Sequence, residues 1–128
     1  MNDRFTRVAG LAASQHSAVS LAQLDQLGVG PSLRHDWLAA GRLMRLGPRS
    51  FALAGAAPTW RQALQAAVFD LGGAGLLAGR SGAQLLGLDG FTGDAVECIL
   101  PREHRNRVGS GIVCSTRRPI GPADVCRI

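Results

Sequence analysis

The chain has 128 residues, of which 46% are hydrophobic and 18% charged; this excludes general disorder and supplies core material for one compact domain or two small ones without disulfide staples. Its formal net charge is +5, and every one of the 14 basic residues is an arginine; coding bias can produce that composition as well as phosphate binding, so the placement of charge is the better guide to an anionic partner. No apolar run approaches the roughly 18 residues of a membrane span, and MNDRFTRVAG lacks the basic-then-apolar pattern of a secretion signal, so a cytoplasmic protein with no membrane partner is expected.

Charge is unevenly distributed. Residues 1–58 carry a net +3, residues 59–97 a net −2 and residues 98–128 a net +4. The first basic block reads as helices followed by a hairpin. Phe5, Val8, Ala9 and Ala12 share one face of a helix over Asp3–Ser14. Ser20 and Gln23 have capping-box spacing at the start of a second helix, with Val19 able to staple onto Leu24. Leu21, Leu24 and Leu27 form its stripe, and Gly28 suits the position just past its end. Pro31 opens a third helix whose Leu33, Trp37, Leu38 and Ala40 turn inward before Gly41 ends it.

Two helices joined by so short a turn fit a helix-turn-helix. Leu43–Arg45 and Ser50–Leu53 flank a Gly47–Pro48 turn, the pattern of a two-stranded wing. On this reading Ser32, Arg34 and His35 on the third helix face the major groove, and Arg42, Arg45 and Arg49 reach phosphates or the minor groove. Trp37 is expected in the core. Asp36 opposes phosphate contact on its own face.

Gly55–Pro58 marks a boundary. The expected fold class is α+β: a winged helix-turn-helix domain over residues 1–57, then a small helix–hairpin α+β domain over residues 58–128. Thr59 should cap a helix running to Leu71, with Trp60, Leu64, Ala67, Val68 and Leu71 as its apolar face. The glycines at 72, 73 and 75 read as a mobile linker, since LGGAG satisfies neither phosphate-loop pattern. A short helix over Arg80–Leu86 follows, with Ser81 near its start as a cap. Ala95–Leu100 and Ile112–Ser115 then read as the two strands of a hairpin. The loop between them carries Arg102, Arg105 and Arg107, a further candidate DNA contact.

Catalytic signals are weak. The sequence holds no HExxH, no GxSxG and no CxxC; Cys98, Cys114 and Cys126 are an odd, widely spaced set, and Cys98 and Cys114 sit in apolar strand-like runs suited to buried free thiols. Asp89, Asp94 and Glu97 are near in sequence, but nothing in their spacing makes them converge on one ion. A non-enzyme with no cofactor and no metal is expected.

The runs ASQHSAVSLAQLDQLGVG and AAGRLMRLGPRSFALAG resemble the N-terminal domain of AbiEi-type antitoxins, in the actinobacterial form that joins it to a following α+β region. The likeness continues through PTWRQALQAAV, LAGRSGAQLLGLDGF and VECILPREHRNR. It implies promoter DNA bound by a winged helix, autoregulation of a toxin–antitoxin operon and a cognate toxin resembling a nucleotidyltransferase. Longer relatives continue into a very-short-patch-repair-like nuclease after a segment like PADVCRI. The given sequence stops at Ile128, where that continuation would begin; if that portion is absent from the protein, its nuclease activity is not implied. Pro31, Arg34, Phe51, Gly79 and Cys114 depart from the residues common in such relatives, so no relative's target sequence transfers. Paired half-sites in operators make a homodimer one expectation and a monomer the other. The competing reading is a non-catalytic interaction module, or truncated relative, that binds a cognate toxin or another copy of itself.

Overall fold

A computed structural model describes residues 3–72, 75–101 and 103, and the backbone of the strand Ile112–Thr116. The architecture is mixed α+β, with two small sheets and helices on both. In chain order the elements are α1 (Asp3–Ala13), β1 (Val19–Ser20), α2 (Leu21–Gln26), α3 (Pro31–Ala39), β2 (Leu43–Gly47) and β3 (Ser50–Leu53). They continue with α4 (Trp60–Asp70), β4 (Leu76–Leu77), α5 (Gly79–Leu85), β5 (Glu97–Pro101) and β6 (Ile112–Thr116).

Local chemistry explains the first half. Ser20 Oγ accepts from the Gln23 amide at 3.1 Å, and the Gln23 side chain accepts from the Ser20 amide at 3.0 Å, closing a full capping box on α2. Gly28, at φ +81°, occupies the left-handed position after that helix, where a side chain would be strained. Pro31 sits in the first turn of α3, whose missing amide costs nothing there. The turn after α1 is less regular. His16 and Ser17 both have positive φ, and Gln15 and Gln23 exchange side-chain amide hydrogen bonds at 2.9 and 2.7 Å across it.

The first sheet is antiparallel, in the order β1-β3-β2. Val8, Ala12, Val19, Leu24, Val29, Trp37, Leu43 and Phe51 form one buried cluster between the helices and this sheet. Phe5 meets Trp37 edge to face at 5.3 Å, which extends that core toward the surface. Ser50, Phe51 and Ala52 are all buried in succession. Strand side chains alternate, so three consecutive buried positions require cover on both faces. Phe51 packs into the helical cluster, and α4 packs on β1, β2 and β3.

Thr59 Oγ1 accepts from the Gln62 amide at 3.1 Å and starts α4 as its sequence indicates. Its Ala67 and Leu71 then join Cys98 and Leu100 in a second, smaller buried cluster. One helix therefore borders both sheets.

The second region departs from its sequence reading in three places. The strands over 97–101 and 112–116 are not a hairpin: β5 and β6 pair in parallel, with Glu97 opposite Ile112 and Pro101 opposite Thr116. Two short apolar runs around a polar stretch look alike in either orientation, and only the antiparallel form can close through a tight turn. The stretch after α4 is not wholly linker. Leu76 and Leu77 form β4, antiparallel to β5, and make β5 the central strand. Ser81 does not cap α5, whose N-cap position is Ala78. Its hydroxyl is buried instead, donating to the Ala95 carbonyl at 2.8 Å and accepting from the Glu97 amide at 2.6 Å. The capping task passes to a strand, because Glu97 Oε2 accepts from the Arg80 amide at 2.8 Å.

Candidate nucleic-acid interface

The first set of residues expected to meet DNA occupies α3, the turn after it and the β2–β3 hairpin; α3 and the hairpin both contribute to one buried cluster, through Trp37 and Leu43. On α3, burial of Trp37 turns Ser32, His35, Asp36 and Ala39 to the surface. That face offers a hydroxyl, an imidazole and a carboxylate, all able to hydrogen-bond base edges. It carries no exposed arginine.

Arg34 is directed elsewhere. Its guanidinium donates to the Asp25 carboxylate on α2 and to the Val29 carbonyl at 3.0 Å, and its side chain is only 16% exposed. It ties α3 to α2 across the intervening turn. The carboxylate partner lies nine residues earlier, a separation with no helical periodicity to advertise it.

The exposed cations follow α3. Arg42 lies 5.4 Å from the Phe5 ring centroid, so a chain of contacts runs from Trp37 through Phe5 to a surface guanidinium. Arg45 faces Phe51 in the sheet register, with its guanidinium 4.8 Å from that ring. Long donations to the Gly47 and Pro48 carbonyls, at 3.4 and 3.3 Å, fold it back onto the turn. Arg49, partly exposed, borders a groove of about 490 Å³ with Ser20, Leu21, Asp25, Phe69 and Gly72.

Thus Ser32, His35, Arg42, Arg45 and Arg49 lie on α3, the turn after it and the hairpin that follows, while Arg34 braces α3. Arg102, Arg105 and Arg107 lie outside the described residues.

One residue shaping this region escaped the sequence reading. Asp70, 1% exposed at the end of α4, accepts the Arg49 amide on Oδ1 at 2.9 Å. Its Oδ2 is buried with no hydrogen-bond partner, as is Ser50 Oγ. A carboxylate in the last turn of a helix opposes the helix dipole, and that misfit is the sequence signal for it. Gln62 is a second omission: buried on α4, it donates to the Ser17 carbonyl at 3.3 Å.

Away from this region, the acids weighed as metal ligands do not converge. Glu97 faces the start of α5, whereas Asp89 and Asp94 are exposed. Among the described residues, no group of three or more His, Cys, Asp or Glu side chains could hold a metal ion. Burial pushes the Cys98 thiol up to about 11, opposing the thiolate that reactivity needs. Among the same residues, no helix is long and apolar enough to cross a membrane. Compared with family models, curated proteins and solved structures, the chain finds no match.

Proposed function

We propose that the protein is an antitoxin-like DNA-binding transcriptional regulator that meets promoter DNA through α3 and a basic wing formed by β2 and β3. The observation carrying this reading is the succession of α2, a short turn, α3 and an arginine-bearing hairpin. This is the order of elements in a winged helix-turn-helix. Arg42, Arg45 and Arg49 supply phosphate contacts in this scheme, Ser32 and His35 meet base edges, and Arg34 fixes the angle of α3. The reading agrees with the chain's likeness to AbiEi-type antitoxins, and it needs neither cofactor nor metal.

Fluorescence anisotropy on the chain's own upstream DNA and on a scrambled duplex, across a salt series, tests it. Tight binding that favours the upstream duplex is expected. Replacing Arg42, Arg45 and Arg49 together by alanine should lower the salt slope by about 2–3, near one for each phosphate no longer neutralised. Equal weak binding to both duplexes would remove sequence recognition from the reading. No binding at low salt would overturn it.

A second reading, an interaction module for a cognate toxin or another copy of the chain, is favoured by the exposed apolar run after α5. There Leu86, Leu88 and Phe91 are 58%, 55% and 41% exposed. A stable complex between the purified chain and a candidate toxin, in the absence of DNA binding, would favour it.

A further inference from the structure

The hairpin turn that presents Arg45 and Arg49 is fastened from behind by a residue far along the chain. Asp70 Oδ1 accepts the Arg49 amide, and the same carboxylate presses on Gly47 so closely that a methyl group there would collide with it. Asp70 thus spans the turn from its entry at Gly47 to its exit at Arg49. The opposing contact comes from Arg45, whose guanidinium donates to the Gly47 and Pro48 carbonyls. A register irregularity between Arg45 and Gly47 lies within the same few residues. A bulge at that point re-aims the side chains beside it, so whatever fixes the turn also fixes their direction.

The arrangement is costly if stability is its sole purpose. A nearly fully buried carboxylate with one unpartnered oxygen, placed against the helix dipole, destabilises the fold. An apolar residue at position 70 would avoid that cost but could not accept from the Arg49 amide. Helix α4 is also shared: Trp60 Nε1 donates to the Ala95 carbonyl at 2.7 Å, and Ala67 and Leu71 lie in the second buried cluster.

We infer that Asp70 is a positioning residue that sets the β2–β3 turn from α4, so that the reach of Arg45 and Arg49 toward DNA depends on how α4 is seated. The consequence for DNA rests on the proposed DNA-binding function; the latch itself does not.

The test uses the whole 128-residue chain. Amide hydrogen exchange by NMR is followed at Arg49, with Val8 and Leu24 as core references, beside DNA anisotropy across a salt series. In Asp70→Ala, Arg49 protection should fall at least about tenfold while the reference amides hold. DNA affinity should fall about tenfold, and the salt slope by about 1. Asp70→Asn keeps an oxygen acceptor for the Arg49 amide and should retain most of both. Gly47→Ala should resemble Asp70→Ala, and the double variant should lose no more than Asp70→Ala alone, because both changes undo the same packing of carboxylate on turn.

An Arg49 amide as protected in Asp70→Ala as in the parent would overturn the latch. So would an equal loss of protection at Val8 and Leu24, which is plain destabilisation. An opened turn with unchanged DNA affinity and salt slope would overturn the positioning role. If the parent binds no DNA, the proposed function fails, while the exchange data still decide the latch.

Discussion

The region from α1 to β3 and the region from α4 to β6 are joined differently within themselves. In the first, neighbouring segments specify one another: a capping box, a proline in the first helical turn, a left-handed glycine and an antiparallel hairpin act over a few residues. Its core takes large side chains from every helix and both main strands. In the second, distant segments meet. Single polar side chains cross-link them, Trp60 to Ala95 over 35 positions, Ser81 to Glu97 over 16 and Glu97 to Arg80 over 17. Its described cluster of Ala67, Leu71, Cys98 and Leu100 is smaller. Among the described residues, apolar burial dominates the first region, and individual hydrogen bonds are prominent in the second.

That contrast can be broken by mutation. The largest effect is expected from Phe51→Ala, which leaves a cavity under β3 and removes the ring beneath Arg45; a loss of about 3–5 kcal/mol should appear in urea unfolding. A value under about 1 kcal/mol would mean that this core is not what holds the first region. A fragment of residues 1–57 should keep that core but uncover Ser50 and Ala52 and orphan the Arg49 amide. It should be about 2–3 kcal/mol less stable than a fragment of residues 1–72, by the same melts. Equal stability would show that α4 is not part of the first region's support.

Two serines sharpen the comparison. Ser81→Ala should cost about 1–3 kcal/mol, because the Glu97 amide loses its buried acceptor, while the Ala95 carbonyl keeps the Trp60 indole. Ser20→Ala removes a helix cap close to water and should cost about 1 kcal/mol. The reverse ranking would contradict the division between apolar and polar support. The smallest effect at neutral pH concerns Cys98. Its thiol is raised in the folded state, so its contribution is complete below the ordinary thiol range and is lost as pH rises toward about 11. Stability should decline across that alkaline window in the parent and less steeply in Cys98→Ala. Below the window, the thiol should resist iodoacetamide until the protein unfolds.

These differences also decide what could be read from sequence. Ser20 with Gln23, Pro31 and Thr59 state their roles within three or four residues, so their helices were legible. The α+β class was legible for the same reason. Arg34 has the local pattern of an outward residue on a recognition helix, and nothing near it in sequence announces its partner Asp25. Ser81 had the composition of a cap, but its partners belong to a strand sixteen residues on. The parallel direction of β6 relative to β5 is not written in either strand's own residues, which read alike in both orientations. At the candidate interface, the positions of Arg42, Arg45 and Arg49 followed from local pattern. Asp70, which holds the turn between Arg45 and Arg49, could be found only as a misplaced charge.

The fastening of the turn also has a chronology. A chain is synthesised from its N-terminus, and Asp70 follows Arg49 by 21 residues. At about 5–20 residues per second, the hairpin therefore waits roughly one to four seconds on the ribosome before its latch has been made. The turn proposed to meet nucleic acid thus receives its last contact after every residue from α1 to β3 has been synthesised.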